Sequence, residues 1–544
     1  MRILVDLQGA QTESRYRGIG RYVTSLTKAL VRNGVQHEFF ILLNGLFPET
    51  IESIRQQFAD VLPQSNILVW YTPGPVNGYN QSSLGRRKIA ELIRTNFIDT
   101  LKPDAVYVSS LFEGADAVVN IPENSCYQIG VTFYDLIPLL NPDQYFLGNP
   151  QFKEYYFEKL DCLRRADRLF AISEFSRQEA LGHLALDPSL VINVSTASDE
   201  NVMLSDFPDS KDTATLLKRL KISRPFVLYT GGGDGRKNLP RLAQAYARIP
   251  KALRSKYQLV LAGRMLPVQA QEVEQAAEKA GLMLAEDMVF AGYVSDSDLQ
   301  QLYRQCRLFV FPSWHEGFGL PALEAMQCGA VVVAAGNTSL PEVLDFESAL
   351  FDPIDVDQMA KKIAQGLENE SFRVAFLEHA KIQAKKFSWD ISARRLLNEF
   401  ELGYVQHPRR NETWQEFAAA HALAQAQMID QITELSITHG LDKKKDDLAL
   451  AYALADNEKT LLSVQRIGAL AKSPIIWRIE GPFDSSYSLA LLNRETARGL
   501  ASLGQNVVLH STEGPGDFEP NPSFLEKNSD LAAMHAKSRV LASE

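Results

Sequence analysis

Short apolar segments alternate with amphipathic segments along residues 1–405 of this 544-residue chain, and this alternation limits the possible fold more than any other feature. RILVDL is strand-like, GRYVTSLTKALVRNG has apolar residues at helical spacing, and HEFFILL is strand-like again. Strands that alternate with helices of this length form parallel sheets covered by helices on both faces. The sequence therefore predicts an α/β protein.

The alternation restarts after a polar segment at residues 205–225. Six strand-like runs follow, from FVLYTGG to ALFDP, with helical segments between them. Two Rossmann-like domains of ordinary size, each with its own core, explain the restart. We predict an N-terminal domain at 1–205 and a second domain at 206–385. A ligand cleft is expected between the carboxyl ends of the two sheets.

The last part of the chain has a different composition. Residues 408–472 are rich in Ala, Leu and Gln, with near-helical apolar spacing that predicts linker helices packed on another part of the protein. From 473 the order strand, loop, helix, strand returns, with Ser485, Ser486 and Tyr487 where residues 2–43 have glycines. The repetition indicates a duplicated module, but 473–544 is too short to close such a sheet. We therefore predict an incomplete second module with a poorly ordered tail from 519.

Charge and composition exclude several classes of protein. A formal net charge of −10 argues against a nucleic-acid partner. MRILVDLQGAQ does not have the pattern of a signal peptide, and no apolar run is long enough for a transmembrane segment. The cysteines form no pair at metal-ligand spacing: Cys126, Cys162, Cys306 and Cys328. We expect a cytoplasmic protein, and peripheral contact with the inner face of the cell membrane stays open.

A glycine cluster follows the first strand of the second domain, in VLYTGGGDGRKNLPRL (227–242). Glycines before a helix present free backbone N–H groups to an anion, so Gly232 and Gly233 are candidate phosphate contacts. Arg236 and Lys237 add two positive charges suited to a diphosphate. An ordinary strand-to-helix turn with solvated basic residues explains the cluster equally well.

The stretch SRYRGIGRYVTSL (14–26) opens the first helix of the N-terminal domain. Gly18 and Gly20 would let a ligand approach the backbone at the top of the first sheet, and Arg17 and Arg21 flank them. Taken alone, this stretch is better explained as a flexible connection with surface arginines.

Two glutamates flank a glycine turn in SWHEGFGLPALEAM (313–326). Pro321 marks a first helical turn, which puts Glu316 in the loop and Glu324 one turn inside the helix. We expect both carboxylates to point into the cleft. They would lie near the backbone N–H groups of Gly317, Phe318, Gly319 and Leu320. A carboxylate pair can bind sugar hydroxyls or stabilise a cationic transition state. A helix cap with solvated glutamates would explain one Glu, but not the whole run HEGFGLPALEAMQCGAVVV.

Together these segments resemble the retaining glycosyltransferases of family 4, which have the GT-B fold of two Rossmann-like domains facing across a cleft. Residues 225–360 carry the resemblance through Lys237, the glutamate pair, GYVSDSDLQQLY and NTSLPEVL. RGIGRY and YDLIPLL extend it to residues 1–405. The resemblance implies an acceptor-binding N-terminal domain, a nucleotide-sugar-binding second domain, and a helix at 386–407 that packs back on the first.

The resemblance also implies roles for individual residues. Glu316 would contact the transferred hexose, Glu324 the ribose of the donor, and Lys237 with Arg236 the diphosphate. The chain departs from the family pattern at two positions: Gly231 replaces an arginine that many members carry, and Tyr134 replaces a histidine before Asp135. Three residues are candidate acceptor or donor-sugar contacts: Tyr134, Asp135 and Arg17.

Transfer with retained configuration would follow the scheme proposed for the family. The acceptor hydroxyl attacks on the leaving-group side, and a phosphate oxygen helps to remove its proton. That scheme needs no protein nucleophile, although Glu316 as a covalent nucleophile is a variant. Helix capping explains Asp296 and Asp298 better than a metal site does, so no metal cofactor is expected.

Within the family, the chain is similar to the bacterial mannosyltransferases that build polymannose O antigens in lipopolysaccharide biosynthesis. The similarity implies GDP-mannose as donor, a lipid-linked glycan as acceptor, and partner proteins of polysaccharide assembly. Two alternatives stay open: a catalytically weak scaffold module, and a hexosyltransferase that uses a UDP-sugar.

Overall fold

Seven parallel strands form the first sheet of the computed structural model. They are β1 (Arg2–Asp6), β2 (Glu38–Asn44), β3 (Ile67–Trp70), β4 (Ala105–Val108), β5 (Gln128–Phe133), β6 (Arg168–Ala171) and β7 (Val191–Asn193). Their order in the sheet is β3-β2-β1-β4-β5-β6-β7. Five of these strands coincide with strand-like runs of the sequence, whereas β3 and β7 were not predicted.

The structure describes residues 1–123, 125–198, 210–406, 414–439, 441, 443–470, 476–485, 488–502, 506–513, 516–517 and 519–541. The predicted domain limits near 205, 407 and 472 lie outside these residues, as do Ser486 and Tyr487. The chain divides into two compact units, Met1–Asn457 and Glu458–Glu544.

Helices cover the first sheet. They are α1 (Gly18–Asn33), α2 (Pro48–Gln57), α3 (Leu84–Leu101), α4 (Ile137–Leu140), α5 (Pro142–Tyr145), α6 (Pro150–Leu163) and α7 (Glu174–Leu184). The apolar residues of α1, such as Tyr22, Leu26 and Leu30, recur at helical spacing and are buried. The helix ends where Gly34 donates its N–H to the Leu30 carbonyl oxygen, as the sequence predicts.

Six parallel strands form the second sheet, as predicted. They are β8 (Phe226–Thr230), β9 (Gln258–Ala262), β10 (Met288–Gly292), β11 (Leu308–Phe311), β12 (Val332–Ala335) and β13 (Leu350–Phe351), in the order β10-β9-β8-β11-β12-β13. Its helices are α8 (Ser210–Arg219), α9 (Leu239–Arg248), α10 (Lys251–Arg254), α11 (Pro267–Lys279), α12 (Asp296–Gln305), α13 (Leu320–Gln327), α14 (Leu340–Leu344), α15 (Val356–Glu368) and α16 (Glu370–Gln383). Every residue of β8, β9, β11 and β12 is buried, as expected for strands covered on both faces.

The strand order reverses once in each sheet, between β1 and β4 and between β8 and β11. Loops that follow the strands on either side of such a reversal leave the carboxyl edge in opposite directions and open a crevice for a ligand. The segments RGIGRY and GGGDGRK follow β1 and β8, and SWHEGFG follows β11. The topology therefore places these predicted ligand-binding segments at the two switch points.

Helix α17 (Trp389–Gln406) packs against α1 and β5 of the first sheet. Asn33 donates to the Asp390 carboxylate at 2.7 Å, and Gln128 donates to the Phe400 carbonyl oxygen at 3.0 Å. Gly130 permits this packing, since a Cβ there would lie 2.7 Å from the Phe400 ring. The end of the second domain is thus held on the first sheet.

Two long helices follow, α18 (Trp414–Thr438) and α19 (Lys443–Leu470). Helix α18 packs along α3, where Gly85 allows close approach of His439 just beyond its end. The Asn457 side chain accepts from the Tyr71 N–H at 2.7 Å and donates to its carbonyl oxygen at 2.9 Å. Tyr71 follows β3, so α19 secures the edge of the first sheet.

The second unit contains β14 (Ile476–Glu480), α20 (Ser488–Ser502), β15 (Asn506–His510), β16 (Thr512–Glu513), β17 (Gly516–Asp517), α21 (Pro522–Lys527) and α22 (Ser529–Leu541). β14 and β15 pair in parallel, in the predicted strand, helix, strand order. The tail predicted to be poorly ordered instead forms α21 and α22, because Leu531 packs into the same apolar cluster as Phe483 and Leu509.

No helix in the described part of either unit is both long and apolar enough to cross a membrane.

Candidate active site

The glycine loop after β8 is held by its own side chains and by neighbouring loops. Gly231 has φ of +141°, a conformation that favours glycine. Asp234 accepts from the Arg236 N–H at 3.1 Å, which closes the turn over Gly235–Lys237. Asn238 then donates to the carbonyl oxygens of Pro312 and Pro353 at 3.0 and 2.7 Å. The loop is thereby fixed against the loops that follow β11 and β13.

Glu316 lies between the two basic residues of this loop. Its Oε1 is 2.6 Å from Lys237 Nζ, and its Oε2 is 2.9 Å from an Arg236 guanidinium nitrogen. All three side chains are mostly buried, with Glu316 at 10% exposure. These residues were predicted separately from two motifs, and the structure brings them together because β8 and β11 are neighbours at the switch point.

This arrangement fixes the charge of Glu316. Burial opposes ionisation, but the Arg236 and Lys237 cations outweigh it and lower the pKa of Glu316 to about 2. Burial also lowers the pKa of Lys237 below its usual value, although Glu316 acts in the opposite direction. The cluster carries one negative and two positive charges at neutral pH, a net positive charge suited to a diphosphate.

The loop after β12 holds the backbone around Glu316 through hydrogen bonds. Thr338 accepts from the Glu316 N–H at 3.3 Å, and the Ser339 hydroxyl donates to the carbonyl oxygens of Glu316 and Phe318 at 3.0 and 2.8 Å. Both residues belong to the NTSLPEVL segment, which sequence reasoning matched to the family without assigning it a task. A hydroxyl pair in the loop next to a candidate catalytic loop is the signal that could have identified them.

Glu324 faces the first domain from the first turns of α13. Its carboxylate accepts from Arg21 of α1 at 2.8 Å and from the Tyr303 hydroxyl at 3.1 Å. The Tyr303 hydroxyl also lies 2.8 Å from the Thr230 hydroxyl at the end of β8. Glu324 does face the cleft as expected. Arg21 was noted only as a flanking residue, and its pairing with Glu324 was not predicted.

The HEGFG turn touches the first domain directly. The Gly317 carbonyl oxygen accepts from the Ser173 and Ser176 hydroxyls at 2.6 and 3.0 Å. A Cβ on Gly317 would lie 2.6 Å from the Tyr134 carbonyl oxygen, so only glycine fits here. Gly319 has φ of +102° and precedes α13. These two glycines are therefore needed for the turn and for its approach to the first domain.

Tyr134 and Asp135 lie against the same turn. The Tyr134 hydroxyl donates to the Ser109 carbonyl oxygen at 2.9 Å, which directs it toward the first sheet. Asp135 accepts from the Ile137 N–H at 3.0 Å. Burial raises the pKa of Asp135, and the nearby Arg236 cation opposes that rise. Asp135 is thus close enough to the basic pair to be influenced by it.

Two contacts between the domains were missed by sequence reasoning. His315 Nε2 lies 2.8 Å from the Glu179 carboxylate on α7, and both side chains are buried. The Tyr145 hydroxyl donates to Asp234 at 3.1 Å. Neither pair could be predicted from local sequence, since its two residues lie in different domains and meet only in the folded protein.

The remaining predicted site residues differ in how they are placed relative to the cleft. Gly18 faces Leu320, since a Cβ on Gly18 would lie 3.6 Å from the Leu320 side chain. Gly20 fits tightly over Arg15, where a Cβ would lie 2.5 Å from backbone, so its role is local. Phe318 is buried against Phe387 and can offer a ligand only its backbone. Arg17 is exposed at the start of α1.

A cavity of about 160 Å³ lies beside Glu324, between the domains. Arg21, Tyr303, Leu320 and Trp389 contribute to its walls. Pockets for small-molecule ligands are usually about 300–1,000 Å³, so this cavity by itself is smaller than a typical ligand site. Asp296, which was assigned to helix capping, lies at this wall in the first turn of α12 behind the Ser295 cap.

Two family models match the chain. Glycosyltransferase Family 4 matches residues 16–195, and Glycosyl transferases group 1 matches residues 215–383. The two matched segments correspond to the two sheets.

Among curated proteins, the chain is similar to the serotype-specific mannosyltransferase WbdA of Escherichia coli, with 36% identity over 84% of this chain and 53% of that protein. It is also 32% identical to the O-antigen chain mannosyltransferase B of Escherichia coli, over 50% of this chain and 69% of that protein. The chain thus spans about half the length of the WbdA proteins that it matches.

Among solved structures, the sucrose-phosphate synthase from Thermosynechococcus elongatus matches with a TM-score of 0.57 and 17% identity, over 75% of this chain and 100% of that chain. At this identity the likeness concerns the fold alone. The two facing Rossmann-like domains are the GT-B fold that the sequence predicts.

Proposed function

The chain belongs to glycosyltransferase family 4, and we propose that it is a retaining hexosyltransferase that moves mannose from GDP-mannose onto a growing lipid-linked O-antigen polysaccharide. The relatives named as mannosyltransferases support the choice of sugar. One observation carries the proposal: Glu316 is held between Arg236 and Lys237 at the switch point of the second sheet.

Each residue of this cluster would have its own task. Arg236, Lys237 and the N–H groups near Gly232 and Gly233 would stabilise the charge that develops on the leaving diphosphate. Glu316, which stays ionised, would accept hydrogen bonds from the hydroxyls of the transferred hexose. Because the two cations already face the diphosphate, the proposal requires no metal ion.

The nucleoside end of the donor would lie at Glu324. A carboxylate there can accept bonds from both ribose hydroxyls once Arg21 has moved. The acceptor hydroxyl would attack from the leaving-group side, with a phosphate oxygen taking its proton. Asp135, beside Arg236, stays a candidate contact for the sugars, as do Tyr134 and Arg17.

The proposal also concerns location. A lipid-linked acceptor is presented at a membrane surface, so we place the chain in the cytoplasm, peripherally at the inner face of the cell membrane. Partner proteins of polysaccharide assembly would meet it there.

Calorimetric titration tests the proposal. Wild-type protein in EDTA would be titrated with GDP-mannose, UDP-glucose and UDP-N-acetylglucosamine, beside Glu324→Ala and the control Glu347→Ala, an exposed glutamate of the same domain. We expect GDP-mannose alone to bind, and only Glu324→Ala to weaken it.

Other outcomes would change specific parts of the proposal. A preference for a uridine donor would contradict mannose transfer from GDP-mannose, but it would still agree with a hexosyltransferase. A second set of titrations with Mg²⁺ in place of EDTA separates two further outcomes. Binding seen only with Mg²⁺ would reject metal independence, and failure of all three donors to bind under both conditions would favour a scaffold module.

A further inference from the structure

An open groove of about 1,340 Å³ borders the candidate active site on the second domain. We call it the outer groove. It is walled by the loops that follow β11, β12 and β13 and by parts of α9 and α15. Its lining includes Arg241, Trp314, Asn337, Glu347, Asp352 and Lys362. None of these residues is part of the Glu316 cluster or of the cavity beside Glu324.

Trp314 joins the outer groove to the reaction centre. Its backbone N–H donates to the Arg236 carbonyl oxygen at 3.0 Å, and its indole N–H donates to the Gly235 carbonyl oxygen at 3.3 Å. Asn337 donates to the Trp314 carbonyl oxygen at 2.6 Å. These three bonds fix the ring two residues before Glu316, against the glycine loop that would bind the diphosphate.

The side chains of the outer groove suit a neutral, hydroxyl-rich ligand. An indole ring can pack against the apolar C–H face of a sugar. Glu347 and Asp352 can accept hydrogen bonds from hydroxyls, whereas Arg241 and Lys362 can donate them. Charges of both signs are present, so the groove does not select a strongly charged ligand. Glu347, Asp352 and Arg241 are exposed, which favours a chain lying along the surface over an enclosed small molecule.

The groove is open to solvent and extends over about 1,340 Å³, whereas the cavity beside Glu324 has about 160 Å³. In an acceptor of several sugar residues, only the terminal residue needs to reach Glu316. The residues behind it must leave the cleft, and Trp314 stands where the cleft meets the open groove.

We propose that the outer groove is a glycan subsite that binds the sugar residues behind the acceptor end, with Trp314 as its stacking platform. This inference rests on the proposed function, since it takes the acceptor to be a mannose polymer. It assigns recognition of chain length to the second domain, separately from donor binding.

The experiment compares a long and a short acceptor with the full chain. KM would be measured for α-linked mannotetraose and for methyl α-mannoside, with GDP-mannose as donor. The proteins would be wild type, Trp314→Ala, Trp314→Phe, Glu347→Gln and the control Tyr452→Ala, an exposed aromatic residue of α19. Donor affinity would be measured by titration for each protein.

We expect Trp314→Ala to raise KM for mannotetraose about tenfold more than KM for methyl α-mannoside, and the donor titration to show how much of any common change comes from the Gly235 loop. Trp314→Phe, which keeps an aromatic ring, should raise KM for mannotetraose less than Trp314→Ala does. Glu347→Gln should give a smaller rise for mannotetraose alone, and Tyr452→Ala should match wild type.

Three results would contradict the proposal that the outer groove is a glycan subsite and would leave the proposed function intact. They are an equal rise of KM for both acceptors, no change in Trp314→Ala, or a wild-type KM that is the same for mannotetraose and methyl α-mannoside. If wild type bound no donor, the proposed function would fall, and the groove proposal with it.

Discussion

Glu316 is the residue on which the candidate site most depends, because two cations and the loop after β12 all converge on it. Its carboxylate pairs with Lys237 and Arg236, and its backbone is held by Thr338 and Ser339. With a pKa near 2, it has no role as a proton carrier at neutral pH. Its chemistry is that of a fixed negative charge and hydrogen-bond acceptor.

The protonation state of Lys237 should limit donor binding at alkaline pH. Burial lowers the pKa of Lys237, so its ammonium group loses a proton at lower pH than an ordinary lysine, and a positive charge at the proposed diphosphate site is lost as pH rises. We expect the affinity for GDP-mannose to fall about tenfold as pH rises from neutral into the alkaline range. Titration calorimetry across this range would measure it.

Lys237→Arg provides the matched comparison, because an arginine stays protonated throughout that range. Its affinity should vary much less with pH. An equal alkaline loss in both proteins would show that another group is responsible.

Arg21 occupies the carboxylate that would bind the ribose. Removing it in Arg21→Met should tighten binding of GDP about fivefold, because the nucleotide no longer has to displace a partly exposed arginine from the Glu324 carboxylate. Arg32→Met, on the same helix, is the control and should bind GDP like wild type. Weaker binding by Arg21→Met would mean that Arg21 contacts the nucleotide instead.

The sequence named Glu316, Arg236 and Lys237 as candidates in two separate motifs, but it did not predict that they pair. They meet because the two motifs follow neighbouring strands of one sheet. The sequence could not predict Arg21 with Glu324 or His315 with Glu179. Those pairs join different domains, and their geometry depends on how the domains meet. Local spacing contains no information about that arrangement.

At the scale of elements, β1 and α3 are joined by a buried ion pair at the first switch point. Arg94 lies 2.5 Å from the Asp6 carboxylate, and both side chains are 2% exposed. Breaking such a pair leaves an uncompensated buried charge, which costs about 3–5 kcal/mol of stability.

Arg94→Met should therefore lower the free energy of unfolding of the first domain by about that amount. Asp6→Asn combined with Arg94→Met should recover part of the loss, because no unpaired charge remains. Thermal melts followed by circular dichroism would compare the three proteins. A single variant as stable as the double variant would contradict this assignment.

Strand length does not separate the predicted strands from the missed ones. The second sheet was predicted complete because each strand lies between clear helical segments, and this includes β13, which has only two residues. β3 and β7, with four and three residues, were missed, and both are outermost strands of the first sheet. The tail after 519 was predicted to be poorly ordered, yet α22 places Leu531 in the core of the second unit.

At the scale of the first unit, α18 and the part of α19 up to Asn457 pack on the first domain. The sequence predicted helices that pack on something, and the structure identifies that surface as α3 and the end of β3. Only the three-dimensional fold could supply this, since Asn457 and Tyr71 are 386 residues apart.

Asn457→Leu should weaken the packing of α19 on the end of β3, because the Tyr71 backbone N–H and carbonyl oxygen lose their hydrogen-bond partners. Each lost partner costs about 1–3 kcal/mol where the backbone group stays buried. Hydrogen exchange should quicken in β3 and in α19 up to residue 457, and stay unchanged in the second sheet. Gln427→Leu on α18, which keeps Asn457, is the comparison. Equal exchange in wild type and Asn457→Leu would contradict the role of Asn457.

The tight cleft between the first two domains has a kinetic consequence. Arg21, Ser173, Tyr145 and Glu179 all reach across it, and the space beside Glu324 is about 160 Å³. Entry of a nucleotide sugar to Glu324 would require these contacts to break, so donor association would be limited by the opening of the cleft. In rapid mixing, the observed rate constant should rise with donor concentration and level off at the opening rate. That plateau would set an upper limit on turnover, whatever the speed of the chemical step.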